Sequence, residues 1–485
     1  MKTYIIILAS AFLLLTGCQR AGLPEGSLMV SENNRYLTLP DGSPFLWIGD
    51  TAWELFHRLN REEAVEYLEN RVDKGITVIQ AVVLAENDGL RTPNAYGALP
   101  FEELDPTRPV EAYFEHVDFI VNKAEELGLF IGMLPTWGDK IFSEHPGSGP
   151  IVFNPENAQI FGEFLGKRYK DKPVIWILGG DRNIANMEVL DTWRAMAAGL
   201  KSGDGGRNLI SYHPRGASMS SHWLHNETWL DFNMYQSGHS RHYTPVYNYA
   251  EHLALLHPVK PFVEAEPAYE DIAVEFWNYF DLKKATSRSD TVSPIDVDGL
   301  IQDPSVFAQG FFTDADVRVH GYWNFLSGAC GYTYGNNAIW QMWKKGMPYA
   351  IPCLTDWKEA LDRPGSEDLR HINKLMRARA FHLLVPDQSI IFGPVPDGKE
   401  HIRAAIAANN SFMLVYLSVG QKVKVNMHKL NNQVMASWYD TREGTVTKIG
   451  EYDNTGIVEF VPPTSGRGED WMLVLDDRTR ELPAL

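Results

Sequence analysis

Val174-Ile175-Trp176-Ile177-Leu178-Gly179-Gly180-Asp181-Arg182-Asn183 is an apolar run that stops at two glycines and a carboxylate. An apolar run without alternation reads as a strand buried on both faces, as in a parallel sheet covered by helices. Glycines let the chain turn or pack closely without steric cost. Asp181 then stands at the carboxyl end of the strand, where barrel and open-sheet α/β enzymes carry reactive groups. The same residue also fits a helix cap or a turn, so a second acid has to decide the matter.

Outward from this stretch the pattern repeats. Phe45–Asp50, Ile76–Leu84, Leu129–Pro135, Pro173–Leu178, Leu209–Tyr212, Phe232–Tyr235, Pro261–Glu266 and Ala329–Tyr334 read as strands. Helical patterns lie between them. Asn60 and Glu63 have capping-box spacing ahead of Ala64, Leu68 and Val72, and Gly75 stops that helix. Asn154-Pro155 reads as an N-cap and first helical residue. Eight strands alternating with helices predict an α/β fold, a (β/α)8 TIM barrel over residues 30–380. Val30–Phe45, with its Pro40-Asp41-Gly42 turn, reads as a small hairpin closing the barrel's bottom. Asp271–Phe325 reads as a longer mixed connection. Beyond residue 380 come short strands at Arg403–Ala407, Phe412–Leu417, Lys422–Asn426, Val434–Tyr439, Ile457–Phe460 and Trp471–Leu475, separated by Gly, Asn and Asp turns. That spacing predicts a C-terminal all-β sandwich domain over 381–485.

The chain has 485 residues, 44% of them hydrophobic, and a formal net charge of −18. The acidic balance argues against nucleic-acid binding, which rests on basic patches. Residues 1–17 read as a signal peptide, with Lys2 ahead of the apolar Ile5–Leu15. Leu15-Thr16-Gly17-Cys18 resembles the lipobox of bacterial lipoproteins, so Cys18 is expected to be lipidated and 18–29 to form a tether. A lipid-anchored protein of the Gram-negative cell envelope is the expectation, with the membrane contacted through that anchor alone. No later stretch approaches the ~20 apolar residues of a membrane span. Cys330 and Cys353 are expected to be buried free thiols.

The second acid is in the seventh strand, Phe262-Val263-Glu264-Ala265-Glu266-Pro267. Alternation puts Glu264 and Glu266 on one side, expected to point into the barrel. Asp181 and Glu266 would then face each other across its mouth. Paired carboxylates are what glycoside hydrolysis needs, one protonated as acid and one ionised as nucleophile or base. Trp53, Trp137, Tyr235, Tyr269, Tyr334 and Trp340 fall at predicted strand ends, where rings can stack on sugar faces. Asp50, Asp139, Asn183, His213, Gln236 and His239 lie at the same end and can bond hydroxyls. Tyr235 is expected to donate a hydrogen bond to Glu266, with Tyr269 as its rival. His239 and His242 are three apart without an evident third ligand, so neither a metal nor a cofactor is expected.

Ile48-Gly49-Asp50-Thr51-Ala52-Trp53, Gly179-Gly180-Asp181-Arg182-Asn183 and Glu264-Ala265-Glu266-Pro267-Ala268-Tyr269-Glu270 together resemble the apiosidase-like catalytic domain, glycoside hydrolase family 140. Trp438-Tyr439-Asp440-Thr441-Arg442 and Asp470-Trp471-Met472-Leu473-Val474-Leu475 resemble the sandwich domain that follows it. The resemblance implies a retaining hydrolase with Asp181 as acid/base and Glu266 as nucleophile. It also implies a plant cell-wall substrate, apiose linkages in the pectin rhamnogalacturonan II. The alternatives are a glycosidase of this fold acting on another sugar, and a carbohydrate-binding lipoprotein without catalysis. The presence of both acids favours the enzyme.

Overall fold

The buried apolar runs form the barrel wall. The strands are β1 (Trp47–Thr51), β2 (Val78–Val82), β3 (Phe130–Leu134), β4 (Val174–Gly179), β5 (Ile210–His213), β6 (Asn233–Gln236), β7 (Phe262–Glu266) and β8 (Gly331–Tyr334). The computed structural model describes residues 26–143, 149–278 and 309–485. The expected signal peptide, the lipidated Cys18 and the first part of the tether lie outside the described residues. The hydrogen-bonded order is β5-β4-β3-β2-β1-β8-β7-β6, with a ninth, two-residue strand, Ser218–Met219, antiparallel on β6. The β5–β6 seam is closed by other bonds: Asp231 N–H donates to Ile210 O at 2.8 Å, and Ser211 Oγ to Phe232 O at 2.7 Å.

Helices α1 (Arg61–Asp73), α2 (Glu111–Glu126), α3 (Pro155–Tyr169), α4 (Met187–Asp204), α5 (Val246–Ala254), α6 (Asp314–Phe325) and α7 (Pro364–Ala378) cover the wall. After β5 the helix is a single turn, Ser221–Leu224. Both expected N-caps form reciprocal capping boxes, Asn60 with Glu63 and Asn154 with Asn157. The mixed connection resolves at its end into α6, whose residues are nearly all buried. Amphipathic periodicity fails there because α6 is wrapped by protein on all sides. The segments Met29–Val30, Leu37–Thr38 and Pro44–Phe45 form a small antiparallel sheet. Leu28, Leu37 and Phe45 share a core with Trp47, Val78, Phe130 and Ile175, so this sheet plugs the barrel floor. Cys330 and Cys353 are free and buried.

α3 and α4 touch through glycines. A Cβ on Gly166 would lie 2.4 Å from Leu200 O, and one on Gly203 2.5 Å from Glu163 O. Backbone cannot yield as a side-chain tip can. Gly166→Ala is therefore expected to force the helices apart and to destabilise the protein by about 1–3 kcal/mol. An unchanged melting temperature would contradict this contact.

The C-terminal domain has a six-stranded antiparallel sheet and a two-stranded one. The strands are β9 (Leu384–Pro386), β10 (Ile402–Ala407), β11 (Phe412–Leu417), β12 (Val423–Asn426), β13 (Val434–Asp440), β14 (Val446–Tyr452), β15 (Ile457–Phe460) and β16 (Trp471–Asp477). The large sheet runs β9-β10-β11-β16-β13-β14, and β12 pairs with β15. β14 carries no apolar alternation that would mark it in the sequence, its residues being mostly exposed. One face of the large sheet, with Met413, Val415, Leu473 and Leu475, packs with Val423 and Phe460 of the small sheet. The other face, with Leu414, Tyr416, Met472 and Val474, joins the barrel's own core. Burial on both faces explains why β10 and β11 are continuously buried.

Candidate active site

β4 ends in an unusual turn. Gly179, Gly180 and Asp181 have φ of +90°, +102° and +51°. A Cβ on Gly179 would lie 2.2 Å from His213 O, and one on Gly180 2.8 Å from the Trp137 ring. Glycine is required at both positions. Asp181 holds the left-handed conformation at a cost of about 1–3 kcal/mol, tolerated where neighbours over-determine it. Those neighbours are visible. Gly138 N–H donates to Gly180 O, and Gly180 N–H to His213 O, both at 3.1 Å. Arg182 Nη1 donates to Asp181 O at 2.8 Å. The Asp181 side chain remains 35% exposed, so it reaches cleft solvent. Dense protein around it, then the charge of Glu266, push its carboxyl up to about 6.

β7 reaches its acid through a bulge. Tyr235 pairs with Glu264, but the next residue, Gln236, pairs with Glu266. The extra residue, Ala265, uses its carbonyl to accept from Gln80 Nε2 at 2.9 Å across the barrel. A bulge re-aims the following side chain, so strict alternation fails. Glu264 does not share the side of Glu266. It accepts from Ser237 Oγ and faces α6, with His320 Nδ1 3.7 Å away.

Glu266 is met by two histidines. His239 Nε2 lies 3.2 Å from Oε1 and His213 Nε2 3.3 Å from Oε2. Tyr269 N–H donates to His239 Nδ1 at 3.3 Å. That nitrogen therefore keeps its lone pair, and the ring proton sits on Nε2, facing Glu266. Burial alone would raise the Glu266 carboxyl. The hydrogen bonds and charges of His213 and His239 outweigh it and hold the group at about 2.

The expected contacts divide into two groups. Trp53, Trp137 and His213 form one wall, with ring centroids 5.2 Å apart for the tryptophans and 5.3 Å for Trp53 and His213. The Tyr269 ring lies 4.7 Å from His239 and occupies the space a Cβ on Gly335 would need. Trp340 packs in the same cluster. Gln236 stands beside Glu266 in register, buried, with Oε1 lacking a partner among the described residues. Asp139 is buried and held by Lys140 Nζ at 2.8 Å and Gly149 N–H at 2.9 Å. Asn183 is partly buried and accepts from Arg215 N–H at 3.1 Å.

Asp50, Tyr235 and Tyr334 do not line the cleft. Asp50 points outward and accepts from Tyr67 Oη (2.7 Å) and Arg71 Nη1 (3.2 Å) of α1. Tyr235 donates to Asn324 Oδ1 of α6, not to Glu266. Tyr334 donates to Glu270 Oε2 at 2.7 Å. All three are fully buried. Each occupies the outward phase of its strand, which sequence position near a strand end does not reveal. The support expected of Tyr235 comes from His239 and His213.

Glu86, four residues beyond β2, is a site residue that no sequence motif marked. Burial, then the charges of Asp181 and Asp139, push its carboxyl up to about 8. A carboxylic acid neutral at pH 7 can donate a hydrogen bond to a ligand hydroxyl. Its neighbour Asn87 is fixed by Glu54, which accepts from Asn87 N–H at 3.1 Å and Nδ2 at 2.9 Å. An acid just past a strand's carboxyl end, Ala85-Glu86-Asn87, was the available signal.

Comparison with known proteins shows the family and the fold. The apiosidase-like catalytic domain matches residues 31–382. A domain described as "Putative collagen-binding domain of a collagenase" matches 385–476. No protein of curated function matches. A solved structure titled glycoside hydrolase is 31% identical, with a TM-score of 0.81, covering 94% of this chain and 98% of its own. A glycoside hydrolase family 5 structure from Bacteroides vulgatus ATCC 8482 is 30% identical, with a TM-score of 0.80 and 94% of each chain covered. With the whole barrel matched by one family and two relatives aligned along nearly their full length, the chain belongs to the apiosidase-like glycoside hydrolases.

Proposed function

We propose that the protein is a retaining glycosidase of plant cell-wall polysaccharide, releasing apiose from rhamnogalacturonan II side chains. One observation carries the mechanism: two carboxyls in one cleft are pushed in opposite directions, Asp181 up and Glu266 down. Such a split supports Asp181 as the proton donor and Glu266 as the ionised partner, which the family resemblance makes the nucleophile. Asp181 protonates the leaving oxygen. Glu266, ionised and oriented by His239 and His213, attacks the anomeric carbon and forms a glycosyl-enzyme. Asp181, now ionised, takes a proton from water as the intermediate hydrolyses. The Trp53–Trp137 wall supports a stacked sugar ring, and Glu86 and Gln236 are placed to bond hydroxyls. The family's apiosidase-like character supports the substrate. Anchoring through Cys18 would hold the enzyme at the cell envelope.

The test is to incubate the protein with rhamnogalacturonan II oligosaccharides and follow the products by NMR. Free apiose is expected, appearing first in the substrate's anomeric configuration. Initial inversion would remove Glu266 as nucleophile, and release of a different sugar would replace the substrate. Because Asp181 must be protonated, kcat/KM should fall as pH rises through about 6. A flat profile between pH ~5 and ~8 would contradict that role.

A further inference from the structure

We infer that Arg467, in the loop between β15 and β16 of the C-terminal domain, is a positioning residue for Glu266. It acts through Asp316 of α6 and through His242 on the loop after β6, which carries His239. The inference rests on the reading of Glu266 as nucleophile and adds that the C-terminal domain completes the site.

The connection can be followed atom by atom. Arg467 Nη2 lies 2.6 Å from Asp316 Oδ2 and 3.1 Å from His242 Nδ1. His242 Nδ1 lies 2.9 Å from Asp316 Oδ1, and its Nε2 3.1 Å from Gln309 O. The guanidinium also sits 5.5 Å from the centre of the Tyr243 ring. Tyr243 has φ of +55°. A bulky residue keeps that conformation only when its surroundings impose it. Arg467 thus pins the strained end of the loop. Phe312 transmits the constraint, with its ring centroid 5.2 Å from His242 and 6.4 Å from His239. His239 then meets Glu266.

The charge pattern gives Arg467 a task that packing alone does not. Asp316 is almost completely buried. Burial would raise its carboxyl, but His242 and Arg467 hold it low. Without Arg467 the buried carboxylate keeps His242 and the Thr313 N–H, which donates to Oδ2 at 2.9 Å, and the loop that carries His239 loses the guanidinium that holds its far end. Glu266 is faced by Asp181 from β4, His213 from β5, His239 from the β6 loop and Tyr269 beyond β7. Loosening His239 removes one of its two histidine partners. Arg467 does not hold the domain in place by itself. Arg318 with Asp470, Arg379 with Asp476 and Arg403 with Glu251 also bond across to barrel-side or C-terminal partners.

The experiment compares Arg467→Met, Arg467→Lys and Arg442→Met in the full chain. Arg442 bonds Asp440 and Glu469 within the C-terminal domain. Two readouts are used: kcat and KM against pH on 4-nitrophenyl apioside, and the 15N-labelled His239 ring by NMR, assigned with His239→Asn. Arg467→Met should lower kcat about tenfold with little change in KM. It should raise the acid limb of kcat/KM by about one pH unit and perturb the His239 Nε2–H signal. A one-unit shift corresponds to a tenfold change in the Glu266 equilibrium. Arg467→Lys should recover most of the loss, and Arg442→Met should match the wild type in both readouts. An unperturbed His239 signal in Arg467→Met overturns the inference, as does an equal loss in Arg442→Met. The NMR readout decides even if the aryl apioside is not turned over. If the signal moves yet Glu266→Ala retains full turnover, the positioning stands and the nucleophile assignment falls.

Discussion

Asp181→Ala should lose cleavage of the natural glycoside by roughly 10²–10⁴-fold, the usual worth of a general acid, yet still release a good aryl leaving group. An aryl oxide leaves without protonation, so the first step survives. The glycosyl-enzyme then accumulates, because water attacks slowly without its base. Azide needs no base and should restore turnover as a glycosyl azide. Glu266→Ala removes the bond-forming atom and should be inactive on both substrates, with losses on the order of 10⁴-fold or more. The two variants are compared on an aryl glycoside, with and without azide. Wild-type rates for Glu266→Ala, or normal natural-substrate cleavage by Asp181→Ala, would reverse the assignment.

Arg318→Met should destabilise the protein by about 3–5 kcal/mol, the cost of breaking a buried ion network on one side. Arg318 is 1% exposed on α6. It donates to Asp470 (2.9 Å), Asp368 (2.6 Å) and Asp314 (2.7 Å). Asp470 also accepts from Tyr416 Oη at 2.9 Å and Thr441 Oγ1 at 2.7 Å. Methionine fills similar space but leaves buried carboxylates without their cation. Asp368 already lies at about 8, raised by burial in spite of Arg318. Losing the arginine raises it further, so part of the penalty is relieved by protonation. Arg318→Met with Asp470→Asn should recover some stability, because the uncompensated charge goes too. Thermal unfolding of the single and double variants measures this. A single-variant loss below ~1 kcal/mol would mean the network is solvated.

The barrel was legible because its signals are local. Continuous apolar strands, reciprocal caps at Asn60 and Asn154, and acids at the ends of two strands can all be read from neighbours in sequence. α6 was not legible, since in a helix enclosed by protein the polar residues are buried too and no apolar stripe stands out against an exposed face. β14 was not legible for the opposite reason, being polar and exposed along most of its length.

The same division runs through the site. Local sequence specifies the alternating α/β architecture, the two strand ends that carry Asp181 and Glu266, and the aromatic residues near them, because strand phase and turn chemistry act over a few residues. Which side chains enter the cleft follows from packing. The bulge at Ala265 separates Glu266 from Glu264, and the outward phases of Asp50, Tyr235 and Tyr334 bind them to helices. Packing likewise sets the ionisation of the pair, since His213, His239 and Glu86 come from other strand ends and meet Asp181 and Glu266 only in the folded barrel. A carboxyl's proton affinity depends on the charges within a few ångströms and on the water excluded around it, and neither is a property of the residues beside it in the chain.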